Sequence, residues 1–327
     1  MKISAIVPVW NGRELLARLL KTLDEQTLPH AELLVIDNGS EDGAPEMAES
    51  RGARVIRMGK NAGFAAAVNR GIEEARREWI AILNSDVELA PDYFEKLAAY
   101  GDAWFTTGKI YSREGSRIDG TFDVVSRAAM PWRAGHGRSD GALFDATRKI
   151  YSAPFTAALF RSDLFRKIGR LEETFESYLE DVDFGLRCAA HGYAGLYIPD
   201  ARAWHIGSAT LGRWHPESVR RMARNQVLLL ARHYPREMLF RCWWPIVVGQ
   251  LLWGGVALRH GAAGAWIRGK CEGVQAFRES KLSNPIESEV LAGILRENEH
   301  VISEFQGAAG FDFYWRLYFL LTGSATK

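Results

Sequence analysis

Ile3-Ser4-Ala5-Ile6-Val7-Pro8-Val9-Trp10-Asn11-Gly12 decides the reading of the fold, because a mostly apolar run stops abruptly at a polar turn. The same event recurs three times in the next eighty or so residues. Leu33 to Ile36 ends in Asp37-Asn38-Gly39-Ser40, Arg54 to Met58 leads to Asn61-Ala62-Gly63, and Trp79 to Leu83 ends in Asn84-Ser85-Asp86. Between these runs the apolar residues change period. Leu15, Leu16, Leu19, Leu20 and Leu23 share one face of a helix over Glu14 to Gln26. A short helix runs through Met47, and another covers Ala65 to Arg77. This alternation predicts an α/β fold with a mostly parallel, doubly wound sheet and helices on both faces. Ligands of such sheets gather at the carboxyl ends of the strands. The four polar turns therefore share one rim.

Downstream the pattern loosens. Pro91 to Tyr100 predicts a helix, whereas Ser112 to Lys149, rich in Gly, Arg and Ser, predicts an irregular and mobile segment. Order returns at Tyr151 to Phe160, and a helix reaching Ile168 has Ser162 or Asp163 as its cap. Tyr178-Leu179-Glu180-Asp181-Val182-Asp183 leads into a helix from Phe184 to Ala190, stopped at Gly192. Gly195 to Ile198 and Ala201 to Trp204 read as extended, ending at His205-Ile206-Gly207-Ser208. From Pro216 onward the pattern is helical.

Composition narrows the function classes. The 327 residues allow one large domain or two at about 150 residues per domain, and the reading favours a catalytic domain with an appendage. With 41 Lys and Arg against 40 Asp and Glu, the net charge of +1 supplies no global field for nucleic acid, so any anion is bound locally. Cys188, Cys242 and Cys271 lack CxxC spacing, which argues against a disulfide framework or a structural zinc and fits a reducing cytoplasm. The first residues read as a strand and not as a signal peptide. Cys242 to Leu258 is uncharged but broken by Pro245, Gln250 and three glycines, and it falls short of the roughly 20 residues of a spanning helix.

The rim residues suit the breaking of a sugar–phosphate bond, which leaves charge on a diphosphate and calls for a divalent cation or fixed dipoles. Asp86 suits Mg²⁺ or Mn²⁺, with Asn84 as a weaker neutral ligand, and a turn cap accounts for the same residues equally well. His205, at another strand end, suits an Mn-like ion; packing beside Trp204 also accounts for it. Glu180, Asp181 and Asp183 either complement a helix dipole or supply a general base that takes the proton of an acceptor hydroxyl. One such base suffices for an inverting displacement, whereas retaining hydrolysis tends to use two facing carboxylates. Trp10 beside Asn11 offers a flat surface for a base, Asp37 or Asn38 a contact to a pyrimidine edge or the ribose, and Gly39 and Gly63 close backbone approach.

Ile6 to Gly12, Val35 to Gly43, Asn61-Ala62-Gly63-Phe64-Ala65 with Asn69-Arg70-Gly71, and Leu83 to Glu88 together resemble the family-2 glycosyltransferases of the GT-A fold. Tyr178 to Arg187 is similar to that family's Glu-Asp motif, and Trp204 to Ser208 to its late metal-binding histidine. The resemblance covers residues 1 to about 235. It implies that Asp86 and His205 bind Mg²⁺ or Mn²⁺ and that Asp181 is the catalytic base. It further implies that Pro8, Val9, Trp10, Asn11, Asp37, Asn38, Asn61, Gly63, Asn69, Asn84, Ser85 and Glu180 contact the nucleotide sugar. Two departures stand out: Asn84 and Asn38 occupy positions where many members carry Asp. The Asn-X-Asp form with Asn-Ala-Gly-Phe-Ala is most similar to bacterial rhamnosyltransferases, which use dTDP-rhamnose to build surface polysaccharides of the cell envelope. UDP-galactofuranose, UDP-hexoses and GDP-sugars stay open as donors. The implied partners are a nucleotide-diphosphate sugar and a glycan or lipid-linked glycan acceptor.

Other readings of the same sheet fit less well. Val9-Trp10-Asn11-Gly12 carries no GxGxxG for a nicotinamide cofactor, and no Gly-rich, Arg-bearing loop follows the first strand as a pyrophosphorylase requires. A non-catalytic sugar-nucleotide-binding homologue stays open because of Asn84. The expected organisation is a nucleotide-binding half at about 1–110, an acceptor-binding half at about 111–235 and a helical region at 236–327. In that last region Trp243, Trp244, Leu251, Leu252 and Trp253, with Arg236, Arg241, Arg259 and Arg268 nearby, suit either a peripheral place on the inner face of the cell membrane or a buried hairpin or dimer contact.

Overall fold

The computed structural model describes residues 1–206, 214–282 and 285–323. Its chain contacts form two compact units, Met1–Phe122 with Gly135–Ala209, and Asp123–Ala134 with Thr210–Lys327. This division and the sequence division at 235 differ over two segments: α7 (Pro216–His233) and the strip 123–134 group with the C-terminal helices.

In the first unit the chain begins β1 (Ile3–Val9), α1 (Arg13–Asp24), β2 (Glu32–Asp37), α2 (Ala44–Ser50), β3 (Arg54–Arg57), α3 (Phe64–Glu74) and β4 (Trp79–Leu83). These elements match the predicted alternation, with helix ends shifted by one to three residues. All seven residues of β1 are buried, as a strand covered on both faces must be. Ile3, Ala5, Val7 and Val9 join Leu16, Leu19, Leu20 and Leu23 of α1 in one cluster. Each of those fully buried leucines contributes about 2 kcal/mol by leaving water.

β1 pairs in parallel with β2 on one side and β4 on the other, and β2 continues to β3. The chain therefore winds away from β1 in two directions, which makes the β1–β4 crevice the switch point of the sheet. Beyond β4 come β5 (Val87–Leu89), α4 (Tyr93–Ala98), β6 (Phe105–Ser112) and β7 (Ile118–Gly120). After the short hairpin β8 (Asp123–Val125) and β9 (Pro131–Arg133) follow β10 (Arg148–Ile150), β11 (Ala157–Arg161), α5 (Ser162–Ile168), α6 (Glu180–Ala190) and β12 (Gly195–His205). The sheet has ten strands, in the order β10-β12-β6-β11-β4-β1-β2-β3, with β5 on β12 and β7 on β6. β11 runs antiparallel between β4 and β6, so the sheet is mixed.

Four details depart from the sequence reading, the first being that α5 is preceded by Arg161, with no side-chain cap bond, and not capped by Ser162 or Asp163. The segment 112–149, expected to be irregular and mobile, holds four short strands, and buried Lys109 pins it through Asp140 at 2.7 Å and Asp145 at 2.6 Å. α6 begins at Glu180 and not Phe184, which puts Glu180, Asp181 and Asp183 inside its first turn. The two extended stretches before His205 are one strand, with a register shift between Ile198 and Arg202.

The second unit consists of the β8–β9 hairpin with α7, α8 (Arg236–Arg241), α9 (Trp243–Arg259), α10 (Ala263–Ala276), α11 (Ser288–Ala309) and α12 (Phe313–Thr322). Ala128 and Met130 from the hairpin turn pack with Val248, Ile302, Trp315 and Tyr318. Fully buried Glu299 accepts from the backbone N and the Nε of Arg127 and from the Tyr318 hydroxyl, at 2.7–2.9 Å. Among the described residues no helix is long and apolar enough to cross a membrane.

Candidate active site

The rim turns of β1, β2 and β3 are tied to one another. Asn11 adopts a left-handed backbone, with φ 47°, which lets its N–H donate to Ser40 Oγ while its Oδ1 accepts from Glu41 N. Asp42 takes the N–H groups of Gly12 and Arg13 and so occupies the amino end of α1 with an internal carboxylate. Partial burial raises the Asp42 carboxyl, but the N–H groups of Arg13, Gly12 and Ala44 outweigh it and hold the group below the usual range. Asn38 donates to Asn61 Oδ1 and Gly63 O and accepts from Ala62 N, which fastens the second turn to the third. Gly39, at φ 84°, lies against Lys60, and an added Cβ would sit 2.9 Å from the Lys60 Cα.

This interlocking sorts the residues expected to meet a nucleotide. Trp10, Asn11 and Asn61 are exposed at the rim; Pro8, Val9, Asp37, Asn38 and Gly63 are buried beneath it. Asp37 Oδ1 accepts from Ser40 N and shapes the second turn. Asn69 is buried, and its amide joins α3 to the loop before α6 by donating to Leu171 O and Glu173 Oε1 and accepting from Leu171 N.

That same loop carries the Glu-Asp segment and is clamped to the third turn. Ala65 N donates to Glu176 O and Phe64 N to Ser177 Oγ. Gly63, at φ 92°, is required there because a Cβ would lie 2.8 Å from Glu176 O. Glu176, Tyr178 and Leu179 all hold positive φ, a concentration of costly backbone immediately before Glu180 and Asp181. Asp183 is fully buried and accepts from Arg187 Nε and Nη2, so it holds its own helix and the carbonyls of Ile168 and Arg170 that Arg187 also reaches. Glu180 and Asp181 remain the candidates for chemistry, with Asp181 Oδ1 oriented by Val182 N at 2.9 Å.

At the β4 end, backbone pairing brings together residues 119 positions apart in the chain. β5 runs antiparallel to β12 with Val87 opposite His205, and Ile206 N donates to Asp86 O. His205 Nε2 thereby lies 3.1 Å from Asp86 Oδ1, with the Asn84 amide 3.5 Å away. Ser85 is half-buried within the same turn. On the other side of the ring, Nδ1 lies 2.8 Å from Asp119 Oδ2. Burial lowers the His205 pKa, but the hydrogen bonds to Asp119 and Asp86 outweigh it and push it up to about 9. An anionic oxygen and an imidazole nitrogen meeting at one point suit a divalent cation that would displace the Nε2 proton and keep phosphate oxygens and waters as its other ligands. Among the described residues no cluster of three His, Cys, Asp or Glu forms a cage from protein alone. Gly207 and Ser208 of the histidine motif lie outside the described residues.

The family model for glycosyl transferase family 2 matches residues 4–169, just over half of the chain. The chain belongs to glycosyl transferase family 2. Among relatives of this glycosyltransferase, the N-acetylglucosaminyl-diphospho-decaprenol L-rhamnosyltransferase of Mycobacterium tuberculosis is 26% identical over 279 residues, covering 75% of this chain and 87% of that protein. The fold is similar to that of GalNAc-T7 solved with UDP, GalNAc and Mn²⁺, with a TM-score of 0.62 at 15% identity over 85% of this chain and 56% of that one. It is also similar to the mannosyltransferase PcManGT of Pyrobaculum calidifontis solved with GDP-Man and Mn²⁺, with a TM-score of 0.51 at 16% identity over 98% and 86% of the two chains. The glycosyltransferase thus has the GT-A fold and the helical C-terminal region expected from its sequence, but its sheet is mixed and not mostly parallel, because β5, β7, β10 and β11 pair antiparallel to their neighbours.

Sequence reasoning overlooked Asp42, Ser177 and Asp119. Asp42 had a local signal, standing three residues before Pro45 at a helix start. Asp119 had none, because the strand that carries it is three residues long.

Proposed function

We propose that the enzyme transfers rhamnose from dTDP-rhamnose to a lipid-linked glycan with inversion at the anomeric carbon, in the synthesis of a surface polysaccharide. The carrying observation is the meeting of Asp86 and His205 beside the β1–β4 crevice, where the donor's diphosphate would lie. The rhamnosyltransferase relative supports the choice of donor and acceptor. Bound there, Mg²⁺ or Mn²⁺ supplies charge for the departing diphosphate. Asp86 and His205 hold the ion, and Asn84 and Ser85 contact the ion or the donor. Trp10 offers its exposed ring to the base, while Asp37 and Asn38 keep the rim backbone in place for the ribose. The acceptor hydroxyl oxygen bonds to the anomeric carbon as the carbon–phosphate oxygen bond breaks. Its proton passes to Asp181, and the diphosphate leaves with the electron pair.

A panel of nucleotide sugars with Mn²⁺ or Mg²⁺, with and without a lipid-linked N-acetylglucosamine acceptor, tests this reading through nucleotide diphosphate release. Acceptor-dependent dTDP release is expected; release from UDP-sugars alone would transfer the proposal to another donor. Asp86→Ala should weaken metal-dependent dTDP binding by at least about tenfold, and an unchanged titration would refute its role.

The acceptor's lipid supplies the setting for the helical unit. Trp244, Val247, Leu251 and Leu258 form one exposed stripe on α9, and Trp244 Nε1 donates to Leu321 O, which brings exposed Leu320 and Leu321 of α12 alongside. Exposed Arg236, Arg259 and Arg316 complement anionic headgroups, and indole rings suit the interface. These features support a peripheral place on the cytoplasmic face of the membrane. Flotation with anionic but not zwitterionic liposomes is expected, and Trp244→Ser with Leu251→Ser should abolish it. Flotation with neither lipid would sink this assignment.

A further inference from the structure

The geometry points to Asp119 as a positioning residue for the metal-ligand histidine, a role no local motif announces. Asp119 lies on β7, which pairs with one edge of β6, whereas His205 lies on β12 along the other edge. Their side chains reach each other with 2.8 Å between Asp119 Oδ2 and His205 Nδ1. The other face of the same ring presents Nε2 to Asp86 at 3.1 Å. The imidazole is therefore held between two carboxylates with different tasks. Asp119 accepts the Nδ1–H, and this leaves Nε2 as the nitrogen directed at the cation position beside Asp86.

The fold fixes each end of this chain of contacts. Asp119 is anchored by its own backbone, since its carbonyl oxygen is 2.7 Å from His136 Nδ1 and its Oδ1 faces that nitrogen at 3.6 Å. The Asp119 side chain is 19% exposed and that of His205 11%, so water competes weakly for the bond between them. On the far side, the pairing of Val87 with His205 holds Asp86 in place. Two rotations are thereby set: the ring plane about its Cβ, and the choice of which nitrogen faces the rim. Without Asp119 the ring can turn over and offer Nδ1 to the rim, or lose orientation altogether. A carboxylate behind the ring also raises the donor strength of Nε2 toward a cation.

This inference rests on the proposed metal role of Asp86 and His205, and two measurements separate its failure from theirs. The first needs no metal. In protein labelled at histidine nitrogens, the His205 Nδ1–H, assigned by its loss in His205→Ala, should resonate far downfield and exchange slowly with water. It should disappear in Asp119→Ala and persist in Asp119→Asn, whose amide oxygen still accepts the proton. The second is the affinity for Mn²⁺ in the presence of dTDP, read from the free-ion electron paramagnetic resonance signal. Asp119→Ala should weaken it by about 10- to 100-fold, and Asp119→Asn by distinctly less. Absence of the bonded Nδ1–H in the wild type would overturn the positioning role whatever the metal does. Its presence with no Mn²⁺ binding by the wild type would instead refute the metal role. A bonded Nδ1–H with unchanged Mn²⁺ affinity in a folded Asp119→Ala protein would show that the contact is structural only. Should the alanine variant not fold, Asp119→Leu, close in size and likewise without an acceptor, takes its place in both measurements.

Discussion

Both units bury paired charges, Lys109 and Asp183 in the first and Glu299 in the second, but they differ in what they present at the surface. In the first, polar groups collect where strands end, and the turns of β1, β2 and β3 bind one another through Asn11, Asn38 and Asp42. In the second, charge is drawn inward to Glu299 and Lys270, while Phe240, Leu251, Leu258, Phe313 and Leu320 face outward. The first arrangement holds a rigid rim against a polar ligand. The second keeps helices together from within and leaves large apolar side chains exposed among its surface charges. Catalytic and supporting roles should accordingly separate under mutation.

The largest expected effect is at the rim. Asp181→Asn should lower transfer by about 10³-fold, roughly 4 kcal/mol of barrier, because a proton acceptor is lost. Calorimetry should show dTDP–Mn²⁺ binding within about twofold of wild type; a parallel loss of binding would place Asp181 in the donor site instead. In the second unit, Glu299→Ala leaves Arg127 facing an emptied interior and should cost about 3 kcal/mol in urea denaturation. Should it cost less than about 1 kcal/mol, the inward charge is not what holds that unit.

Gly63→Ala combines both kinds of effect, since its positive φ and its contact with Glu176 are each incompatible with a Cβ. A loss of about 1–3 kcal/mol is expected, with a fall in kcat beyond what the folded fraction explains. Normal turnover in the folded fraction would show that the clamp on the Glu-Asp loop is dispensable. Lys270 should show its effect through pH. Desolvation pushes its pKa to about 7, below the value near 10.4 of an unfolded chain, while acceptors at Ala223, Gln226 and Gln250 favour the ammonium. The unfolded chain then binds the proton more tightly, so the contribution to stability is present above pH about 10.4 and lost as pH falls through about 7. Chemical denaturation at pH 6.5, 8 and 9.5 should show stability rising in the wild type more than in Lys270→Met. Equal slopes would mean that the three acceptors fully offset burial.

The same contrast explains what could be read from sequence. β1 to β4 and their helices alternate between two apolar periods within short windows, so their order, and the rim holding Trp10, Asn61 and Asp86, was legible. The proximity of Asp86 and His205 depends on β5 pairing with β12, and three-residue strands such as β5 and β7 carry no readable period. Asp119 and the ordered segment around it were missed for that reason. Asn69 has a contact that its motif does not announce. A motif position expected at the nucleotide has its amide engaged with Leu171 and Glu173, in support of the loop. In the second unit the buried partners of Arg127 and Lys270 come from distant helices, and a charged residue in a helical pattern gives no sign of facing inward.

The β8–β9 hairpin also bears on how the chain acquires its structure during synthesis. Arg127 waits for Glu299, 172 residues later, and at about 5–20 residues per second the ribosome needs on the order of ten seconds or more to deliver it. Until α11 and α12 emerge, the apolar faces of Val124, Met130 and Trp132 have only α9 of the three helices they finally pack against. The strands of the sheet are thus all synthesised well before the hairpin inserted among them has its last packing partners.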